Sequence, residues 1–234
     1  MHVRTPHQPS GRSTATESTS GRRPTQAERS ARTRSALLES AARGLSRVGY
    51  GNLNLERVAA DAGYTRGALY HQFEDKEDLA LAVLDWVHEN WMREVGAPAG
   101  QEPDPVAELI ALARGHAVFC RRDVARVVMA LRVEFSGQDH PIGRVIERIS
   151  DGGIKRVVRL VNAGRRMGTI PPGPPARAVA LAFFGAMEGT VIQVAGQAPH
   201  DEVLAAHAVA GVLGLDPDAV PHATERRPDL SRRS

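Results

Sequence analysis

Residues 54–79 read NLERVAADAGYTRGALYHQFEDKEDL, and the pattern of helix starts is clearest here. It contains three residues of the type that caps helix N-termini, namely Asn54, Thr65 and Asp75. Gly63 allows a tight turn between the segment that begins at Asn54 and the segment that begins at Thr65. The pattern therefore predicts two short helices joined by a turn at 54–73, a helix-turn-helix, followed by a longer helix.

The two short helices carry two kinds of side chain. Val58, Leu69 and Phe73 are apolar and hold the unit together, whereas the outward positions of the second helix are small, polar or basic: Thr65, Arg66, Gly67, Ala68, Tyr70 and His71. A helix that reads DNA needs this division, because it must pack on one side and hydrogen-bond on the other. Short helix pairs also occur in bundles that never touch DNA, so geometry alone leaves both interpretations open.

The rest of the chain also has helical spacing. Upstream, a helix is predicted to open at Thr25, with Glu28 completing a capping box, and to stop at Gly49. Downstream, a Gly/Pro-rich break at 96–105 precedes further helices, the last two at 175–194 and 201–214. We predict an all-α protein of about nine helices, with a helix-turn-helix domain at 26–76 and a helical C-terminal domain at 77–215. Residues 1–25 and 216–234 read as disordered tails.

Charge is concentrated at the N-terminus. Residues 1–50 contain nine Arg and three Glu, whereas the remaining residues are slightly negative. A basic end on a near-neutral body favours an anionic partner such as nucleic acid. Five arginines could reach a minor groove or simply be solvated: Arg22, Arg23, Arg29, Arg32 and Arg34.

The composition also bounds the cellular location. Cys120 is the only cysteine, which fits a reducing cytosol, and residues 1–25 lack the apolar run of a signal peptide. The longest apolar stretch, 178–187, is about half of the ~20 residues that a membrane span needs. We therefore expect a cytoplasmic protein without a membrane anchor.

The segment around the helix-turn-helix resembles the N-terminal domain of the TetR/AcrR family of transcriptional regulators over roughly residues 28–85. The densest part of the resemblance is Gly67-Ala68-Leu69-Tyr70, then Phe73, then Lys76-Glu77-Asp78-Leu79. The resemblance implies a homodimer that places two recognition helices on a palindromic operator in double-stranded DNA. It also implies a helical C-terminal domain that binds a small molecule and dimerises.

The resemblance implies DNA contacts residue by residue. Thr65 and Arg66 match base- and phosphate-contacting positions, Gly67 and Ala68 match positions of close approach, and Tyr70, His71 and Lys76 match phosphate contacts. Asn54 stands where the family often has Thr; it caps a helix equally well but offers a phosphate a different side chain. Tyr64 stands where Val is usual, and it reads either as a packing residue or as a DNA backbone contact.

The C-terminal half is expected to hold the effector and the dimer contacts. The residues assigned to a ligand pocket are Trp86, Phe119, Met129, Glu134 and Phe135, with a solvent-facing charge as the alternative for Glu134. The dimer interface is assigned to two strongly apolar helices through Phe183, Phe184, Met187, Val191, Leu204 and Val212. His116 and Cys120 have metal-ligand spacing, but no second pair lies near them in sequence, so no metal site and no cofactor are expected.

These observations favour a ligand-responsive regulator, most simply a repressor released from its operator by a small molecule. Two alternatives remain: a DNA-binding regulator without a ligand, or an activator. An enzyme is disfavoured, because no nucleophile is paired with a base in the sequence.

Overall fold

The computed structural model describes residues 25–194 and 196–216, and within them all regular secondary structure is helical. This part of the chain contains nine α-helices of seven residues or more: α1 Gln26–Val48, α2 Leu55–Asp61, α3 Arg66–Gln72, α4 Lys76–Trp91, α5 Pro105–Phe119, α6 Val127–Glu134, α7 Pro141–Met167, α8 Ala176–Val194 and α9 His200–Leu213. The predicted all-α fold is confirmed. Of the tails predicted at 1–25 and 216–234, residues 1–24 and 217–234, with Arg22 and Arg23 among them, lie outside the described residues.

Side-chain caps fix where the N-terminal helices begin. Thr25 and Glu28 form the predicted capping box at the start of α1. The side chains of Asn54, Thr65 and Asp75 each accept a backbone N–H three residues ahead, at the starts of α2, α3 and α4. Each of these bonds is local, and each confirms a start that the sequence predicted.

Helix α1 positions the helix-turn-helix. Its buried face packs against α2, α3 and α4 through Leu37, Leu38, Ala41, Ala42 and Leu45. The Ser40 hydroxyl donates to the Val58 carbonyl of α2 at 2.9 Å. Arg34 donates to the Gln72 carbonyl at 3.1 Å, and its guanidinium lies 4.4 Å from the centre of the buried Phe73 ring.

The location of Arg34 corrects one prediction. Arg29, Arg32 and Arg34 all lie on α1, and Arg34 is not the solvated side chain that one interpretation of the sequence expects. Arg34 is half-buried and bonded to the end of α3, and this contact holds it against the helix-turn-helix.

The predicted break at 96–105 is also partly wrong. The helix that begins as α4 continues through a π-helical turn, Met92–Gly96, and a further turn, Ala97–Ala99. Val95 and Ala99 are buried, and Val95 packs so closely on α5 that a Cβ on Gly115 would lie 2.8 Å from its methyl group. Burial therefore overrides the helix-breaking tendency of Gly96 and Pro98, and the loop is confined to 100–104.

In the C-terminal half of the chain, α5, α7, α8 and α9 pack against one another. Helix α9 packs against both α8 and α5. Its first turn is tied to the end of α5 by Arg121, which donates to the two carboxylate oxygens of Asp201 at 2.9 and 2.7 Å. Asp201 is almost fully buried, and the hydrogen bonds from Arg121 hold the pKa of its carboxyl below the usual range.

The Arg121–Asp201 pair leads to a prediction about stability. Because the pKa of Asp201 is lower in the folded than in the unfolded protein, the pair stabilises the fold above pH ~4, and this contribution is lost as the pH falls through the folded value. We expect Asp201→Asn to lower the free energy of unfolding by about 1.5–3 kcal/mol at pH 7, and by less at pH 3. Urea unfolding followed by circular dichroism measures this difference. Asp151→Asn, an exposed site on α7, is the control, and an Asp201→Asn effect that is equal at both pH values would contradict the assignment.

Candidate nucleic-acid interface and ligand cavity

Helix α3 presents the side chains that the sequence predicted to contact DNA. Leu69 is buried against the rest of the domain, whereas Thr65, Arg66, Gly67, Tyr70 and His71 are exposed. Asn54 is exposed at the start of α2, and Tyr64, Ala68 and Lys76 are half-buried around the same surface. All nine predicted residues therefore lie at the start of α2, on α3 and the turn that joins these two helices, or at the start of α4.

Arg66 is the most prominent cation of this surface. Its guanidinium pairs with the carboxylate of Glu56 on α2 and lies 5.3 Å from the centre of the Tyr70 ring, one turn along α3. Both contacts are at the exposed surface, where ion pairs contribute little stability. The arginine is thus held near the start of α3 by contacts that a DNA base or phosphate could replace.

Gly67 is not required by packing inside the protein. A Cβ at this position would meet only the Thr65 hydroxyl, at 3.8 Å. Glycine within a helix costs about 0.5–1 kcal/mol relative to alanine, so its presence in open space favours close approach by another molecule.

Lys76 is already engaged in this structure. Its Nζ donates to the Gly51 carbonyl at 3.0 Å and lies 4.7 Å from the centre of the Tyr50 ring. Tyr50 belongs to the turn between α1 and α2, and burial, followed by the charges of Glu77, Asp75 and Glu134, raises the pKa of its phenol. The turn therefore fixes the position of the lysine at the start of α4.

A cavity of about 780 Å³ lies in the C-terminal domain. Its walls come from α4 to α8 and are mainly apolar, with Phe119 and Met129 among them as predicted. Trp86 instead packs against the core, and Phe135 lies against Tyr50, with their ring centres 5.4 Å apart.

Glu134 was assigned to the cavity, with a solvent-facing charge as the alternative, but it does not line the cavity and its side chain is half-buried. Its carboxylate accepts hydrogen bonds from the backbone N–H groups of Tyr50 at 2.6 Å and Gly51 at 2.7 Å. The two partners lie more than 80 residues earlier in the chain, so no local sequence signal could have identified this contact.

His116 is half-buried and lines the cavity, and it contacts the buried Cys120. The Trp91 indole N–H donates to Nδ1 of His116 at 3.2 Å, and the Cys120 sulfur lies 3.5 Å from Nε2. Burial lowers the pKa of His116 to about 4 and raises the pKa of Cys120 to about 12. Both side chains are therefore neutral at pH 7, and the described residues contain no cluster of three or more such groups that could hold a metal ion.

The apolar helix α8 has two different faces. Phe183, Met187 and Val191, which were assigned to the dimer interface, are buried inside the protomer. Leu181 and Ile192 instead remain 51% and 69% exposed. Helical periodicity detected an apolar helix but could not say which face packs internally. Of the other assigned residues, Leu204 is exposed on α9, whereas Phe184 and Val212 are half-buried.

Helix α8 is also long and apolar enough to cross a membrane when judged by length and composition alone, with only 28% of its most apolar window buried in the protomer. The same exposed apolar surface would suit a contact with another protein chain.

Comparisons with known proteins agree with this architecture. Residues 37–83 match the family model of bacterial regulatory proteins of the tetR family. The HTH-type transcriptional regulator CymR of Pseudomonas putida is 39% identical over 70 residues, which cover 30% of this chain and 34% of CymR. The HTH-type transcriptional regulator TtgR, also from Pseudomonas putida, is 39% identical over 62 residues, covering 26% of this chain and 30% of TtgR. The matches thus span about a third of the length of these curated relatives.

Solved structures extend the likeness in fold to most of the chain. A TetR-family transcriptional regulator from Streptomyces coelicolor superposes with a TM-score of 0.65 and 23% identity, covering 79% of this chain and 95% of that one. A TetR regulator from Chloroflexus aurantiacus gives a TM-score of 0.67 and 22% identity, covering 80% and 94% of the two chains. The helix-turn-helix segment and the arrangement of the helices lead to one conclusion: at residues 37–83 the chain carries the domain that the tetR-family model describes, within a fold that TetR-family regulators share.

Proposed function

We propose that this protein is a transcriptional regulator that binds a palindromic operator as a homodimer and is released from it by a small molecule. The observation that carries the proposal is α3, which buries Leu69 and exposes Thr65, Arg66 and Gly67 at its N-terminal end. A helix N-terminus of this kind can enter a major groove, where Arg66 would contact guanine. The relatives that are 39% identical over 70 and 62 residues, CymR and TtgR, are both HTH-type transcriptional regulators, which supports the assignment.

The exposed apolar surface of α8 and α9 supports a dimer. Leu181, Ile192 and Leu204 are exposed, and the small residues Gly185, Gly189 and Ala208 allow close approach between helices. Two copies that pair through these helices would bury the surface in a symmetric contact. An operator of two half-sites requires such a dimer to hold its two α3 helices about one helical turn of DNA apart, or ~34 Å.

The cavity supports a small-molecule effector that is mainly apolar. Four arginines and two carboxylates line its walls: Arg132, Arg148, Arg156, Arg159, Asp85 and Glu188. Arg132 lies 3.6 Å from Glu188, and Arg156 lies 2.7 Å from Glu108. Arg148 and Arg159 add further positive charge to the wall, so we expect an effector that combines an apolar body with a negative group.

Among similar folds, AibR was solved with isovaleryl coenzyme A and operator DNA at a TM-score of 0.63 and 21% identity, over 79% of this chain and 98% of AibR.

The DNA-binding proposal predicts different effects for two cations. Selection of random duplex DNA by the purified protein should return an inverted repeat, and anisotropy titrations then measure its affinity. Arg66→Ala should reduce discrimination at one base of each half-site by about 1–3 kcal/mol. Lys76→Ala should instead weaken all sequences and reduce the salt slope by about one per protomer.

Lys155→Ala is the matched control for this experiment, because Lys155 is the other lysine of the chain and lies exposed on α7. Equal losses of specific and non-specific binding in Arg66→Ala would contradict its base-reading role. A selection that enriches no sequence, at salt concentrations where duplex DNA binds, would argue against an operator.

The dimer proposal predicts a change in mass. Light scattering should give roughly twice the 25.2 kDa of the chain for the wild type. The double variant Leu181→Asp, Ile192→Asp should give a monomer, because each charge would have to be buried without a partner. Val133→Asp, at an apolar position of α6 that is 81% exposed, is the control and should stay dimeric. A monomeric wild type at micromolar concentration would refute the proposal.

The effector proposal predicts a preference for negative ligands. In calorimetric titrations, dodecanoate should bind about fivefold more tightly than dodecylamine, because its carboxylate pairs with exposed arginines of the cavity wall. The double variant Arg148→Glu, Arg159→Glu should reverse this preference, whereas Lys155→Glu on the same helix should leave it unchanged. Equal binding of the two probes to the wild type would refute the assignment of charge.

A further inference from the structure

Residues from both domains meet around the turn between α1 and α2. The set consists of Tyr50, Gly51, Lys76, Glu134, Phe135 and His140, and we call it the Glu134 cluster. From these contacts, and resting on the proposed function, we infer that Glu134 is a positioning residue that links the ligand cavity to the DNA-binding surface.

The first step of the argument is the geometry of the carboxylate. Each oxygen of Glu134 accepts one backbone N–H, from Tyr50 at 2.6 Å and from Gly51 at 2.7 Å. Hydrogen bonds to an ionised acceptor are about twice as strong as neutral ones. Gly49, with φ of 73°, completes the fit, since a Cβ there would lie 2.7 Å from a Glu134 oxygen. The turn therefore has a backbone that matches this one side chain.

The second step connects the turn to the DNA-binding surface. Leu53 of the same turn is buried in the DNA-binding domain, and Asn54 caps α2 directly after it. The Gly51 carbonyl accepts the bond from Lys76, while the Gly51 N–H donates to Glu134. One peptide segment thus joins Glu134 to a predicted phosphate contact and to the first helix of the helix-turn-helix.

The third step adds a second connection beside the first. The Tyr50 ring lies edge-on to His140, with 5.9 Å between centres, and His140 stands at the start of α7. Nδ1 of His140 accepts the Ile142 N–H, and Nε2 faces the Glu77 carboxylate of α4 at 3.4 Å. The starts of α4 and α7 are therefore joined at the same place.

The fourth step connects Glu134 to the cavity. Glu134 is the last residue of α6, and Val128, Met129 and Arg132 of this eight-residue helix line the cavity. Arg132 also donates to Ser150 of α7 at 2.9 Å. A ligand that displaces α6 must move Glu134 with it, because the helix is too short to absorb the displacement. The Glu134 carboxylate then either draws the turn along with it or loses its hydrogen bonds to the Tyr50 and Gly51 N–H groups.

Hydrogen exchange measured by mass spectrometry tests this inference without an effector, because coupling between two sites is reciprocal. In the wild type, bound operator DNA should slow exchange in 54–73 and also in α6, the latter by about fivefold or more. In Glu134→Gln, which keeps the shape but can accept only one of the two bonds, DNA should slow exchange in 54–73 alone. Glu147→Gln, an exposed glutamate of α7, is the matched control and should behave as the wild type.

The outcomes separate this inference from the proposed function. If DNA binds and slows exchange in α6 equally in the wild type and Glu134→Gln, Glu134 does not carry the coupling. If DNA protects 54–73 of the wild type but never α6, the inference is also wrong although DNA binding stands. A wild type that binds no DNA would refute the proposed function itself. Because the readout is the difference between the free and DNA-bound forms of each variant, simple destabilisation by the substitution does not imitate it.

Discussion

One unbroken run of helix joins the two halves of the molecule, formed by α4 and the two turns that continue it from residue 92 to residue 99. Its N-terminal part buries Leu79, Val83 and Leu84 against the DNA-binding domain and its neighbours. Its C-terminal part contributes His88, Trp91 and Met92 to the cavity. From Lys76 to Trp91 the helix is about 22 Å long, and a close-packed interior transmits displacements rather than absorbing them. The cavity and the DNA-binding surface therefore share one structural element.

The sequence predicted the features that depend on neighbouring residues. Each cap needs only a side-chain oxygen and a backbone N–H three residues ahead, so the amino-acid sequence alone is enough to predict it. The four caps are Thr25, Asn54, Thr65 and Asp75. The exposed side of α3 follows from the same logic, because burial of Leu69 fixes which residues face outward. These local rules account for the correct location of the helix-turn-helix.

Features that depend on distant residues could not be predicted in this way. Gly96 and Pro98 read as a break, yet burial of Val95 and Ala99 keeps the chain helical there. Glu134 was assigned by its position in an apolar run, whereas its partners come from a turn more than 80 residues earlier. In α8 the whole helix is apolar, so only the packing of its neighbours separates the buried Phe183 from the exposed Ile192. In each case tertiary contacts decide the outcome.

Two connections thus run between the cavity and the DNA-binding surface, and they differ in how easily they can be broken. Withdrawing α4 would expose side chains such as Leu79 and Leu84, at a cost of about 1.5–3 kcal/mol for each. The bonds of Glu134 are made at the edge of the structure, where Gly51 is exposed and Tyr50 is half-buried. When these bonds break, water can hydrogen-bond to the freed N–H groups and carboxylate, so the net loss is much smaller than the gross strength of the bonds. A reversible response needs a contact that the binding of a ligand can break. Because exposing the apolar side chains of α4 costs more free energy than breaking the Glu134 hydrogen bonds, we infer that the packing of α4 stays intact. The polar contact of Glu134 is then the part that changes between two states.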